Sequence, residues 1–186
     1  MSALLQLWLP ILLTAVFVFV ASSLVHMLFK WHNSEYHKFD GEDDIRAAFN
    51  RSGAPKPGIY FLPYCSDPKE MQQEDAQRRF REGPVAKIIV RPAGMPSLGK
   101  PLLLWFLLSL VVAAIAGCTA WHVLGAAADA RRVGHLVGVM TFLAYAAGSV
   151  VQGIWWGAPW RSVLKDALDA LIYAVVSALT FCWLWP

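Results

Sequence analysis

The chain has 186 residues, of which 57% are hydrophobic and only 16% charged. Soluble domains average roughly 25% charged residues, so this balance excludes an ordinary water-soluble globule and indicates an integral membrane protein. The net charge of +3 is small but unevenly spread, and three scattered cysteines (Cys65, Cys118, Cys182) cannot build a disulfide framework.

A helix needs roughly 20 apolar residues to cross a bilayer core. The stretch 1–30 supplies the first: Ala3 to Phe29 carries no charge, and Lys30 closes it. It has neither the basic start nor the short apolar core of a secretory signal, so an uncleaved membrane anchor is expected. Residues 31–99 form a polar insert with enough apolar residues to fold as a small α/β unit. A first short helix is expected to be capped by Asp40, to share Ile45, Ala48 and Phe49 on one face, and to stop at Gly53. Strands are expected at Ile59 to Leu62 and Val85 to Arg91. A second helix, from about Pro68 to Arg81, follows Ser66-Asp67 between them. Cys65, just before it, reads as part of an ordinary turn, because no second cysteine or catalytic signature accompanies it.

Residues 100–186 hold three further spans, at about 101–124, 133–156 and 167–185. Their short connections make antiparallel hairpins. All nine tryptophans fall near a proposed span end, where an indole keeps its ring in the apolar layer and its N–H wet. The expected fold class is therefore an all-α membrane protein: about four transmembrane helices, with a small α/β cytoplasmic insert between helices 1 and 2.

Orientation follows from the cations. Lys30, Lys38, Arg46, Arg51, Lys56, Lys69, Arg78, Arg79, Arg81, Lys87, Arg91 and Lys100 lie in or beside the insert, and Arg161 and Lys165 in the last loop. Only Arg131 and Arg132 fall on the other side. The positive-inside rule then puts the insert in the cytoplasm and both termini outside a cell inner (plasma) membrane, in multi-pass topology. Basic residues of the insert alternate with acidic ones, which argues against nucleic-acid binding.

Ionisable groups within spans are functional candidates, because burying them is costly. His26 lies near the inner end of the first span, after Ser22 and Ser23, with His32 and His37 following. These histidines are candidate metal or haem ligands; the plainer reading is an interfacial histidine bonded to a neighbouring helix. His122 and His135 flank the outer hairpin with Asp129 between them, a second candidate metal set that an ordinary polar turn also explains. In the fourth span Asp169, Tyr173, Ser177 and Thr180 recur at helical spacing. With Tyr145 and Gln152 of the third they make either a polar path or interhelical contacts, and Asp169 could instead pair with Lys165 or Arg161. Gly134 and Gly138 form a GxxxG that favours close helix packing.

No catalytic residues are expected, since P-loop, GxGxxG, HExxH and GxSxG patterns are all missing. No cofactor is expected beyond the metal or haem these histidines could hold. The leading reading is a non-enzymatic accessory subunit or scaffold, with the lipid bilayer and either further copies or another membrane subunit as partners. A small oligomeric channel or transporter and a metal- or haem-binding redox protein are the alternatives.

Overall fold

The computed structural model describes residues 3–51 and 53–186. Residues 1 and 2 of the first stretch and residue 52 of the insert lie outside the described residues. The elements in chain order are α1 (Ala3–Ser23), continued by a π-helical turn (Leu24–Phe29) and a 3-10 turn (Trp31–Glu35); α2 (Glu42–Asn50); β1 (Gly58–Leu62); α3 (Pro68–Met71); α4 (Glu74–Glu82); β2 (Ala86–Val90); α5 (Gly99–Leu124); α6 (Ala130–Trp156); and α7 (Trp160–Leu184). Residues 1–37 and 97–186 form one compact unit, and residues 38–96 a second.

Four helical segments of the first unit are long and apolar enough to cross a membrane: Ala3–Phe29, Gly99–Leu124, Ala130–Trp156 and Trp160–Leu184. The fold is thus all-α with a small α/β insert. Each helix packs on two neighbours, in the cyclic order α1, α5, α6, α7. The best-buried cluster joins Leu7 and Ile11 of α1, Ala113, Ala116 and Ala120 of α5, Val133 and Val137 of α6, and Phe181 of α7. Small residues let the backbones approach. Gly117 faces the Phe181 ring, where a Cβ would come within 2.6 Å of it. A Cβ at Gly134 would overlap Cys182 Sγ, and one at Gly138 would stand 3.3 Å from Ala178 Cβ. The GxxxG therefore seats α6 on α7 of the same chain.

Helix α7 starts two turns before the apolar run begins. Its first turns hold Arg161, Lys165 and Asp166, charges that a hydropathy window excludes but a helix accepts readily. Pro159 O receives the N–H groups of Ser162 and Val163 at this end.

In the second unit β1 and β2 pair antiparallel, with Tyr60 opposite Ile88. Asp67 Oδ1 caps α3 by accepting from the amides of Lys69 and Glu70 at 2.7 and 2.8 Å. Glu70 Oε2 reaches back to the amide and hydroxyl of Ser66, a reciprocal arrangement like a capping box. Two expectations are corrected here. Gly41, in left-handed conformation (φ 71°), stands at the start of α2, so Asp40 makes no cap. The helix expected over 68–81 is two helices, because Gln73 turns extended (φ −68°, ψ 142°) and a new first turn begins at Glu74 and Asp75. Ala76 is the one buried hydrophobic residue of this unit among the described residues, and Ile59 and Ile89 of the sheet are 60% and 65% exposed.

Candidate functional site

The polar centre of the first unit forms where the chain leaves α1. The helix widens into a π-turn, a local geometry that recurs at functional sites. Lys30 then adopts a left-handed conformation (φ 52°, ψ 28°) and the chain turns back into a 3-10 turn. A lysine at positive φ is uncommon; here the reversal carries Trp31 and His32 to α7.

Asp169, only 5% exposed, is the hub. Its Oδ1 accepts the Trp31 indole N–H at 3.1 Å, and its Oδ2 lies 2.9 Å from His32 Nε2 and 3.7 Å from His26 Nε2. His32 Nδ1 faces Glu35 Oε1 at 3.2 Å. A carboxylate stands beside each ring nitrogen, an arrangement that favours the imidazolium form of His32. Burial disfavours that charge, but the hydrogen bond to Asp169, then that to Glu35, outweighs it and holds the imidazole above its ordinary pKa. Glu35 mirrors this: burial pushes its carboxyl up, and Lys165 and then His32 more than reverse the push, leaving it below the ordinary range. Lys165 Nζ donates to Trp31 O at 2.6 Å and Ser34 Oγ at 2.8 Å, and lies 3.1 Å from Glu35 Oε1.

His26 is different. Its Nδ1 is 3.0 Å from Ser22 O, and a carbonyl only accepts, so Nδ1 donates this bond while Nε2 faces Asp169 Oδ2. The His26 and His32 rings lie parallel with centroids 4.9 Å apart. His26 Nε2, His32 Nε2 and a carboxylate oxygen of Asp169 form a group whose atoms all lie within 4.8 Å of one another.

The other sequence candidates fall elsewhere. Tyr173, Ser177 and Thr180 continue inward from Asp169 along α7 and are buried. Ser177 Oγ donates to Tyr173 O and Thr180 Oγ1 to Val176 O, both within their own helix. Tyr145 meets Tyr173 edge to face at 5.2 Å, and Trp105 packs on both rings. Gln152 is exposed. His122 and His135 are exposed as well; His122 Nδ1 bonds Cys118 O, and Asp129 between them caps α6 through Arg131 N and Arg132 N. His37 lines a surface pocket of about 230 Å³ with Glu35, Arg161 and Lys165.

Two partners were not legible in the sequence. Asp169 takes His32 and Trp31, where the sequence offered Lys165 or Arg161 as one alternative; Lys165 is occupied by Glu35, Ser34 and a carbonyl. Trp31, expected at the headgroup level with a wet N–H, donates into the bundle instead.

Four apolar helices closed into one bundle define an integral, multi-pass membrane protein. Comparison with protein-family models, curated proteins and solved structures finds no match to the chain.

Proposed function

We propose that the protein is a non-enzymatic component of the inner membrane, an accessory subunit or scaffold that carries the unit 38–96 for contact with another membrane subunit or a second copy. The observation that supports it best is the closed interior. Asp169, Tyr173, Ser177 and Thr180 are each at most 5% exposed, and the Ser177 and Thr180 hydroxyls are spent on their own helix. A face packed shut within one chain is not free to line a path between copies, whereas interhelical contact is the common use of such residues.

The small unit argues the same way. A two-stranded sheet is marginal by itself in water, and this one leaves Ile59, Leu62 and Ile89 well exposed. A partner that covers them supplies the missing core. The lysine and arginine distribution supports a cytoplasmic position for this unit, with both termini outside.

The test is site-specific photo-crosslinking in native membranes, with the probe at Ile59 or Ile89 and a control at Arg46. The reading predicts one discrete adduct, of constant mass, from the sheet positions and none from the control. A clean lane from both sheet positions, together with a solute flux in proteoliposomes that Asp169→Asn abolishes, would replace it with the channel reading.

A further inference from the structure

We infer that His26, His32 and Asp169 form a binding site for a divalent first-row transition-metal ion, a role that goes beyond the scaffold reading and does not depend on it. Two imidazoles and one carboxylate are a common ligand set for zinc and for non-haem iron, with further positions left for water or another ligand.

The surrounding hydrogen bonds are those a metal site needs. A ligating imidazole nearly always donates its other ring N–H to a carboxylate or a backbone carbonyl, which fixes the tautomer and aims the lone pair. His26 Nδ1 is held this way by Ser22 O at 3.0 Å, and His32 Nδ1 stands in ion-pair contact with Glu35 Oε1 at 3.2 Å. Both Nε2 atoms then converge on one atom, Asp169 Oδ2, at 3.7 and 2.9 Å. Asp169 Oδ1 is taken by the Trp31 indole at 3.1 Å, which leaves Oδ2 as a single ligand atom.

The spacing is close to what an ion requires. Zinc bonds of about 2.0–2.1 Å at tetrahedral angles set donor atoms about 3.3 Å apart, and the two measured separations straddle that value. Closing round an ion asks a few tenths of an ångström of each histidine–aspartate pair, and the two imidazole nitrogens, within 4.8 Å of one another, draw together as one ring tilts out of the parallel stack. In the metal-free protein the His32 Nε2 proton bridges to Asp169; the ion takes that proton's place, and the proton leaves to solvent.

Access is also provided. Asp166, three residues before Asp169, lies within electrostatic reach of both imidazoles. His26 has a side chain 49% exposed, so an ion enters on its side while His32 and Asp169 stay buried.

The experiment is a Co2+ titration of the intact protein in nanodiscs after chelator treatment, read by its visible d–d bands, followed by displacement with Zn2+. The wild type should bind one equivalent with a spectrum unlike that of the aqueous ion. His26→Ala should weaken binding at least 100-fold. It removes a half-exposed side chain, and an unchanged thermal melt establishes that the bundle is intact. Glu35→Gln should weaken binding about 10–100-fold through the His32 tautomer. A variant lacking His37, His122 and His135 together should bind as the wild type does. Unsaturable binding in the wild type, binding undiminished in His26→Ala, or binding lost in the triple variant would each overturn the assignment.

Discussion

His32 Nε2 and Asp169 Oδ2 meet at 2.9 Å although 137 residues separate them in the chain. This contact ties the segment leaving α1 to the middle of α7. With the Trp31 indole on Asp169 Oδ1 and Lys165 Nζ on Trp31 O and Ser34 Oγ, it forms a directional polar tie beside the apolar packing of α1 on α7.

Removing the hub should therefore be felt in stability. Asp169→Ala leaves the Trp31 N–H and the His32 ring without their acceptor, and an unsatisfied buried polar group costs about 1–3 kcal/mol. The expected loss is about 2–3 kcal/mol, because His32 can shed its proton and avoid the full penalty of a stranded charge. Thermal unfolding in detergent, with the wild type alongside, measures it.

Trp31→Phe isolates one arm of the hub. The ring remains to stack on Phe29 at 6.2 Å, while the hydrogen bond to Asp169 Oδ1 is lost. A loss of about 1 kcal/mol is expected. A value near zero would mean that the indole is held by ring packing alone.

Two glycines separate packing from propensity. At Gly117 a Cβ would lie 2.6 and 2.7 Å from the Phe181 ring, which is fully buried and has nowhere to move. Gly117→Ala should cost about 1–3 kcal/mol as overpacking. At Gly148 nothing lies within 4 Å of the added methyl, and replacing a mid-helix glycine with alanine typically gains about 0.5–1 kcal/mol. Paired melts of the two variants should move in opposite directions.

The small unit carries a pH-sensitive turn. Hydrogen bonds from the Ser66 amide and hydroxyl hold the Glu70 carboxyl below its ordinary pKa. A carboxyl depressed by folding favours the folded turn above its ordinary value, and that contribution fades as pH falls through the folded one. The Ser66 amide resonance should therefore shift on acidification below the ordinary glutamate range, and Glu70→Gln should abolish the transition.

Much of the architecture could be read from the sequence, because a membrane span is a local property. Long apolar runs and flanking cations mark the four helices, the last run broken only by Asp169, and the Ser66-Asp67 signal marks the start of α3. The helix seam was readable as well: Gly134 and Gly138 indicated close packing, and they pack α6 on α7. The site was less legible. His26 and Asp169 stood out one by one as ionisable groups in apolar runs. Their meeting depends on a chain reversal at Lys30, a lysine in a conformation that residue type does not announce. The indole of Trp31 has the same composition whether it anchors at a headgroup or donates to a buried carboxylate, and only the fold decides. Where α7 begins was hidden for a simpler reason, since Arg161, Lys165 and Asp166 end a hydropathy window without ending a helix.

The central claim is that the bundle interior is sealed and its polar stripe structural. Thiol accessibility of Ser177→Cys, in a variant whose three native cysteines are replaced, tests it most directly. Open membrane fragments would be treated with a membrane-impermeant maleimide, and Glu82→Cys on the exposed end of α4 would serve as the accessible reference. The account predicts rapid labelling of Glu82→Cys and none of Ser177→Cys until the protein is denatured. Labelling of Ser177→Cys at a rate near that of the reference would contradict it and mark the stripe as a water-filled path.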